Sequence, residues 1–216
     1  MKRYFIAGTD TNCGKTYVTG QLVDYFKMHS KSVIALKPVV SGCEEVDGVL
    51  VNEDVMHLQR HNVAPKLDIC RWRFKPAISP HLAAAQVGQS VLTKEILAFC
   101  EEEQFKPYEY LLVEGAGGLM SPINQEETWL DFLALSQMPV ILVVGMRLGC
   151  LNHALLTEMA FANHHIHCIG WVANCLDPDM LELSANIDTL VHKMKLPRLA
   201  TIAYGSTIDD NRLSLI

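Results

Sequence analysis

Gly8-Thr9-Asp10-Thr11-Asn12-Cys13-Gly14-Lys15-Thr16 stands between a short apolar run, Arg3–Gly8, and a stretch of helical pattern, Lys15–His29. A glycine-bearing turn that leaves a strand and opens a helix offers free backbone N–H groups and the positive end of the helix dipole to a phosphate. In such a loop Lys15 reaches the β- and γ-phosphates and the Thr16 hydroxyl ligates magnesium. Five residues separate Gly8 from Gly14, one more than the strict Walker spacing, so the strand–loop–helix context carries the assignment.

Outward from this loop, β-rich runs alternate with helical patterns. The strand candidates are Arg3–Gly8, Val33–Lys37, Tyr110–Glu114, Val140–Gly145, Ile169–Asn174 and Leu199–Tyr204. Several are almost continuously apolar, as strands are when helices cover both faces. Between them, Asn52 is placed to cap a helix over Glu53–His61, and Ser79-Pro80 opens one that runs to Val87. Thr93 starts Lys94–Gln104, and Thr128-x-x-Asp131 has capping-box spacing ahead of a turn ending near Ser136. Leu151–Asn163 and Met180–Met194 complete the helices. The alternation predicts an α/β fold, a three-layer, doubly wound, mostly parallel sheet with helices on both faces, built by residues 1–216 as one domain of P-loop NTPase type.

Ligands of such sheets sit at the carboxyl ends of the strands. One strand ends in Lys37-Pro38-Val39-Val40-Ser41-Gly42, where Lys37 is either a second cation aimed into the crevice or a solvated strand-end charge. Another ends in Glu114-Gly115-Ala116-Gly117-Gly118, a carboxylate in the place of a magnesium ligand, followed by glycines that let backbone approach phosphates. Asp54, on the first turn of a helix, is either a further ligand or a dipole-compensating charge.

Of 216 residues half are hydrophobic, and 18 basic against 24 acidic residues give a net charge of −6, a poor match for nucleic acid or an anionic membrane. The seven cysteines include no C-x-x-C pair and read as reduced core thiols rather than a zinc site or disulfide framework. The longest apolar run, Met138–Met146, is too short to span a bilayer, and the first is too short for a signal peptide, so a soluble cytoplasmic protein is expected. His57 and His61 lack a third ligand and read as helix surface; His164-His165-Ile166-His167 reads as a connection and Glu101–Glu103 as a solvated helix end. Trp72, Trp129 and Trp171 read as packing residues, Trp72 within an irregular stretch, Ala64–Ile78, suited to lining a cleft.

The ordered set GTDTxxGKT, KPVVSG, a lone NxD, LLVEGAGG, PVILVVGxRLGCLNHALLT and GWVAN, running from residue 3 to about residue 175, resembles dethiobiotin synthetase of biotin biosynthesis. VEGAGG followed by LGCLNH is its most specific part. Related cobyrinate-type amidotransferases share the first segments but lack LGCLNH in this form and carry a glutaminase domain. The resemblance implies an ATP- and Mg2+-dependent cyclo-ligase that forms C–N bonds. In it 7,8-diaminopelargonic acid captures CO2 as a carbamate, ATP converts this to a carbamic-phosphoric anhydride, and the second amine closes the ring of dethiobiotin with release of ADP and phosphate.

Carried over residue by residue, the resemblance makes Lys37, Lys15 and Thr11 catalytic. It assigns the nucleotide to Asn12, Cys13, Gly14, Lys15, Thr16, Tyr17, Asp54, Glu114, Gly115, Ala116, Gly117, Asn174 and Cys175, with Asn174 reading the base edge. Magnesium falls to Thr16, Asp54 and Glu114. The diamine falls to Thr11, Lys37 and Ser41, and its tail carboxylate to Gly149, Cys150, Leu151 and Asn152 across a homodimer interface. This chain has Asn12 where relatives commonly carry glutamate, and Ala200-Thr201-Ile202-Ala203-Tyr204 replaces their GxxP, which implies weaker or less selective adenine recognition. Two alternatives stand beside this reading. A partition-type ATPase switch places a further lysine where this chain has Thr9-Asp10, and many end in an amphipathic helix that residues 205–216 do not promise. A small-molecule kinase would leave its product phosphorylated without consuming CO2.

Overall fold

A computed structural model describes residues 1–208 and 213. In chain order the elements are β1 (Lys2–Gly8), α1 (Lys15–Met28), β2 (Val33–Leu36), β3 (Val39–Val40), β4 (Glu44–Val46), β5 (Val49–Val51), α2 (Glu53–His61), β6 (Trp72–Arg73), α3 (Pro80–Gln86) and α4 (Thr93–Cys100). They continue with β7 (Tyr110–Glu114), α5 (Trp129–Ser136), β8 (Val140–Met146), α6 (Cys150–Asn163), β9 (Cys168–Cys175), α7 (Leu183–Lys193) and β10 (Arg198–Ile202). Six strands make one sheet in the order β10-β9-β8-β1-β7-β2, and every pairing in it is parallel. All residues of β2 and β8 are buried, as the continuous apolar runs require when helices cover both faces.

Helix α1 packs on β1, β2 and β7, and α6 packs on β8. Phe5 of β1 meets Trp129 and Phe132 of α5 at ring distances of 5.4 and 5.5 Å. From β1 the chain goes to β2 at one edge, returns to β7, then crosses β1 to β8. That reversal opens a crevice at the carboxyl ends of β1 and β7, where the phosphate loop and the glycines after Glu114 stand.

Several boundaries differ from the sequence expectation. Helix α4 stops at Cys100, and the acids after it are paired rather than simply solvated: Glu101 with Arg3 at 2.7 Å, Glu102 with Arg71 and Glu103 with Lys106. Helix α7 begins at Leu183 because Glu182 takes a left-handed backbone, φ 54°, that the helix cannot propagate through. Strand β10 ends at Ile202, and residues 203–208 fold back on α1: the Tyr17 hydroxyl donates to the Ser206 carbonyl at 2.6 Å, and the Ile208 N–H to Gln21 Oε1 at 3.1 Å. Of the tail 205–216, read as no amphipathic helix, residues 209–212 and 214–216 lie outside the described residues.

Trp72 belongs to β6 and stands edge-on to Phe99, 6.2 Å away, so it packs against α4 and not the cleft; Ala77 and Ile78 of the same stretch do line it. His57 and His61 are half-buried against α1 at Gly20, their rings 4.7 Å apart, with His61 Nδ1 2.7 Å from Asp24, where a solvated helix face was expected. The seven cysteines are free and buried. Burial pushes the Cys70 and Cys168 thiols up to about 12, as inert core groups require. Among the described residues no group of three His, Cys, Asp or Glu is placed to hold a metal, and no helix is long and apolar enough to cross a membrane.

Candidate active site

Gly14 caps α1 with φ 82° and no side-chain cap bond, so the first N–H groups of the helix face the loop without side-chain partners. A Cβ at Gly14 would stand 2.0 Å from Asn174 Nδ2, and the left-handed backbone disfavours any other residue. Lys15 is buried; its ammonium donates to the carbonyls of Asp10 at 3.0 Å and Gly117 at 2.7 Å, lacing the loop to the turn after β7. Burial pulls its pKa below the ordinary lysine value.

Lys37 follows β2, its backbone N–H donating to the Ile69 carbonyl at 2.9 Å. Its side chain is 5% exposed and reaches Glu114 Oε1 at 2.5 Å and Asp54 Oδ2 at 3.0 Å. Burial alone would lower this lysine's pKa, but the two carboxylates outweigh burial and raise it, so the group is a fixed cation. For Asp54, burial pushes upward and the Lys37 charge overrides it, holding the carboxyl below its usual range. Of the two sequence options for Lys37, the solvated strand end is thus excluded.

Asp54 owes its place to Asn52, whose side chain accepts from the Asp54 and Val55 N–H groups at 3.0 and 3.4 Å and donates to the Ser41 carbonyl at 3.1 Å. Glu114 is fully buried; one oxygen takes both Lys37 and the Thr16 hydroxyl, the latter at 2.7 Å, and Oε2 has no partner. An orphaned carboxylate oxygen beside a threonine hydroxyl and a second carboxylate is a donor set suited to a hard, oxygen-seeking cation, so Thr16, Asp54 and Glu114 fit magnesium.

Lys15, Thr16, Lys37 and Asp54 open onto a cleft of about 840 Å³, with Glu114 buried behind them. Of the residues singled out from sequence, Thr11, Asn12, Gly14, Lys15, Thr16, Tyr17, Lys37, Ser41, Asp54, Ala116 and Gly117 line it. Ala77 and Ile78, from the stretch expected to line a cleft, join Val39, Val40, Ser79 and Pro80 in its less polar wall; these last four, with Asn52 and Ser121, sequence reading did not place in the site. For the wall residues the signal was position alone: Val39 and Val40 come just after Lys37, and Ser79 and Pro80 stand at the start of α3.

Others stand elsewhere. Cys13, Glu114 and Gly115 are buried beneath the loop and turn. Asn174, expected at the base edge, is 3% exposed and donates from Nδ2 to the Cys13 carbonyl at 3.0 Å, so it supports the loop from below; Cys175 is buried beside it. Gly149, at φ 93°, caps α6; Cys150 is buried and Asn152 exposed. None of Gly149, Cys150, Leu151 and Asn152 lines the cleft of its own chain.

A family model described as an AAA domain matches residues 2–212. The chain is 51% identical over 214 residues to ATP-dependent dethiobiotin synthetase BioD of Legionella pneumophila (strain Lens), covering 99% of both chains. It is 43% identical to the protein of the same name from Pseudoalteromonas translucida (strain TAC 125), covering 95% of this chain and 91% of that one. Among solved structures it is similar to the septum site-determining protein MinD complexed with Mg-ADP from Pyrococcus horikoshii OT3, with TM-score 0.57, 16% identity, and 94% and 81% of the two chains covered. It also resembles FtsY of Thermotoga maritima, with TM-score 0.56 and 12% identity, covering 97% of this chain and 64% of the other. At such identities the solved structures share the fold alone.

Proposed function

We infer the reaction of this cleft from one premise: the chain belongs to the dethiobiotin synthetase family of ATP-dependent P-loop enzymes. It is a cyclo-ligase of biotin biosynthesis that joins 7,8-diaminopelargonic acid and CO2 into dethiobiotin, turning ATP into ADP and phosphate. The roles of its residues are our proposal. One observation carries them: a buried, permanently charged ammonium, Lys37, stands at the cleft floor between two carboxylates and beside the phosphate loop.

The chemical difficulty is electrostatic. One amine of the diamine attacks CO2, losing a proton and giving a carbamate. A carbamate oxygen then attacks the γ-phosphorus, and ADP leaves. The second amine, as the free base, attacks the carbonyl carbon of the resulting anhydride, one of its two protons goes to solvent, and phosphate departs as the ring closes with the other N–H retained. Two unit anions about 4 Å apart repel by about 4 kcal/mol at an effective dielectric of about 20, so carbamate and γ-phosphate meet only where fixed cations stand.

Lys37 has three N–H donors and spends two on Asp54 and Glu114, which leaves one for a carbamate oxygen. Lys15 exchanges its carbonyl partners for the β- and γ-phosphates. The unshared N–H groups at the start of α1 take the β-phosphate. Thr11 and Ser41 contact the diamine, and Val39, Val40, Ala77 and Ile78 lie along its hydrocarbon chain. Thr16, Asp54 and Glu114 would hold magnesium, which when bound supplies further charge neutralisation on the phosphates. The working form we propose is a cytoplasmic homodimer in which Gly149–Asn152 of one subunit receives the tail carboxylate of the diamine bound to the other, at a helix N-terminus suited to an anion.

Incubation with diaminopelargonic acid, labelled bicarbonate and Mg-ATP tests the reading, with acid-stable label in dethiobiotin as the expected result. A phosphorylated diamine without label would support a kinase. ATP hydrolysis that responds to lipid or DNA and ignores the diamine would support a switch.

A further inference from the structure

We propose that Arg147 and Asp10 are a positioning pair that sets the leading edge of the phosphate loop for the reaction. Arg147 is the residue after β8, and its side chain crosses to the loop that follows the neighbouring strand β1. Its Nη2 reaches Asp10 Oδ2 at 2.5 Å and the Thr11 carbonyl at 3.3 Å. The other carboxylate oxygen of Asp10 accepts the Thr11 N–H at 2.7 Å, and the Asp10 carbonyl is one of the two carbonyls to which Lys15 donates. One guanidinium therefore governs two residues whose neighbours do the chemistry. Thr11 lines the cleft, and the Asp10 carbonyl holds the Lys15 ammonium in place until the phosphates take it over.

Two arguments separate this from ordinary surface pairing. Arg147 and Asp10 are 39% and 43% exposed, and an ion pair that open to water contributes little to global stability. Its consequence is local: Asn174 holds the back of the loop through the Cys13 carbonyl, and Arg147 holds the front. The second argument is charge. Asp10 is a carboxylate beside a site that must gather two further anions, and Arg147 cancels it. Without the arginine the front of the loop is both loose and negative.

The proposal rests on reading this cleft as the nucleotide and diamine site. Displacing a reacting group by about 1 Å costs up to about a hundredfold, so Arg147→Ala is expected to lower kcat/KM for the diamine by roughly ten- to a hundredfold while the Tm moves little. Arg147→Lys, which restores the charge without the planar fork, recovers part of the loss. Asp10→Asn introduced into Arg147→Ala removes the uncompensated anion and keeps an acceptor for the Thr11 N–H, so the double variant is expected to be more active than Arg147→Ala alone. Full activity in Arg147→Ala, simply additive losses in the double variant, or a loss matched by unfolding would each overturn the pair. Lys37→Ala, measured alongside, separates the two ideas: if it is inactive and Arg147→Ala is intact, only the pair fails, and if it is fully active, the reading of the cleft fails with it.

Discussion

The ammonium of Lys37 lies between Asp54 and Glu114 with almost no exposure, and that setting decides when it titrates. Its pKa rises on folding, so the stability it contributes is complete below the ordinary value of 10.5 and fades only as pH climbs through the higher folded value. Asp54 runs the other way: its pKa falls on folding, so its contribution is present above 3.8 and is lost as pH drops through the folded value. Between these limits the charges of both groups are constant. The alkaline limb of kcat then belongs to the substrate amines or to Lys15, and Lys37→Arg, which stays charged throughout, is expected to leave that limb where it is. A limb that moves in the variant would assign it to Lys37. Removing the charge is another matter: Lys37→Ala is expected to cost kcat at least about a hundredfold, the scale of losing one preorganised donor, with Mg-ADP affinity nearly unchanged by calorimetry.

At the scale of elements, the loop and the start of α2 are placed by two small residues. Gly14→Ala forces a Cβ onto Asn174 and a left-handed backbone onto alanine, and loss of nucleotide binding in a titration with Mg-ADP is the expected result. Asn52→Ala removes a cap worth about 1 kcal/mol, read in chemical denaturation, and releases Asp54 and Ser41 together, so the magnesium concentration for half activity is expected to rise. Retained magnesium dependence would show that Asp54 does not need its cap. These elements also show what was legible in the sequence. Short β-rich runs, several of them continuously apolar, revealed all six main strands, and Asn52, Pro80 and the Thr128–Asp131 pair revealed three helix starts. Strands β3 to β6 escaped because two or three residues establish no period. Lys37 was legible as a position but not as a direction, since its burial depends on Asp54 and Glu114 arriving from distant segments. Asn174 misled for the same reason: an amide at the end of a strand points to the cleft or back under the loop with equal ease, and the Cys13 carbonyl decides it. The half-burial of His57 and His61 had one cue, Gly20 on α1, whose missing side chain makes room for both rings.

At the scale of the molecule, the turn that carries Gly149–Asn152 stands apart from the cleft of its own chain, and beside it Leu148 is 99% exposed, a side chain that gains from being covered. On the proposed two-subunit site each centre takes Lys37 from one chain and the turn from the other. Asn152→Asp sets a negative charge where the tail carboxylate is to bind, and it is expected to raise the KM for the diamine with kcat nearly preserved. This defect and that of Lys37→Ala then lie on opposite sides of the interface. Unfolded together and refolded at equal concentration, the two variants give mixed dimers in about half of the molecules, each with one centre built from two intact halves. At a diamine concentration well below the KM of Asn152→Asp, such a mixture is expected to recover about a quarter of the native rate, while either variant alone stays near zero. A site contained within one chain cannot do this, because every centre in the mixture would then carry one of the two defects. A mixture no more active than the mean of its components therefore shows that the turn does not complete the active site of the partner subunit.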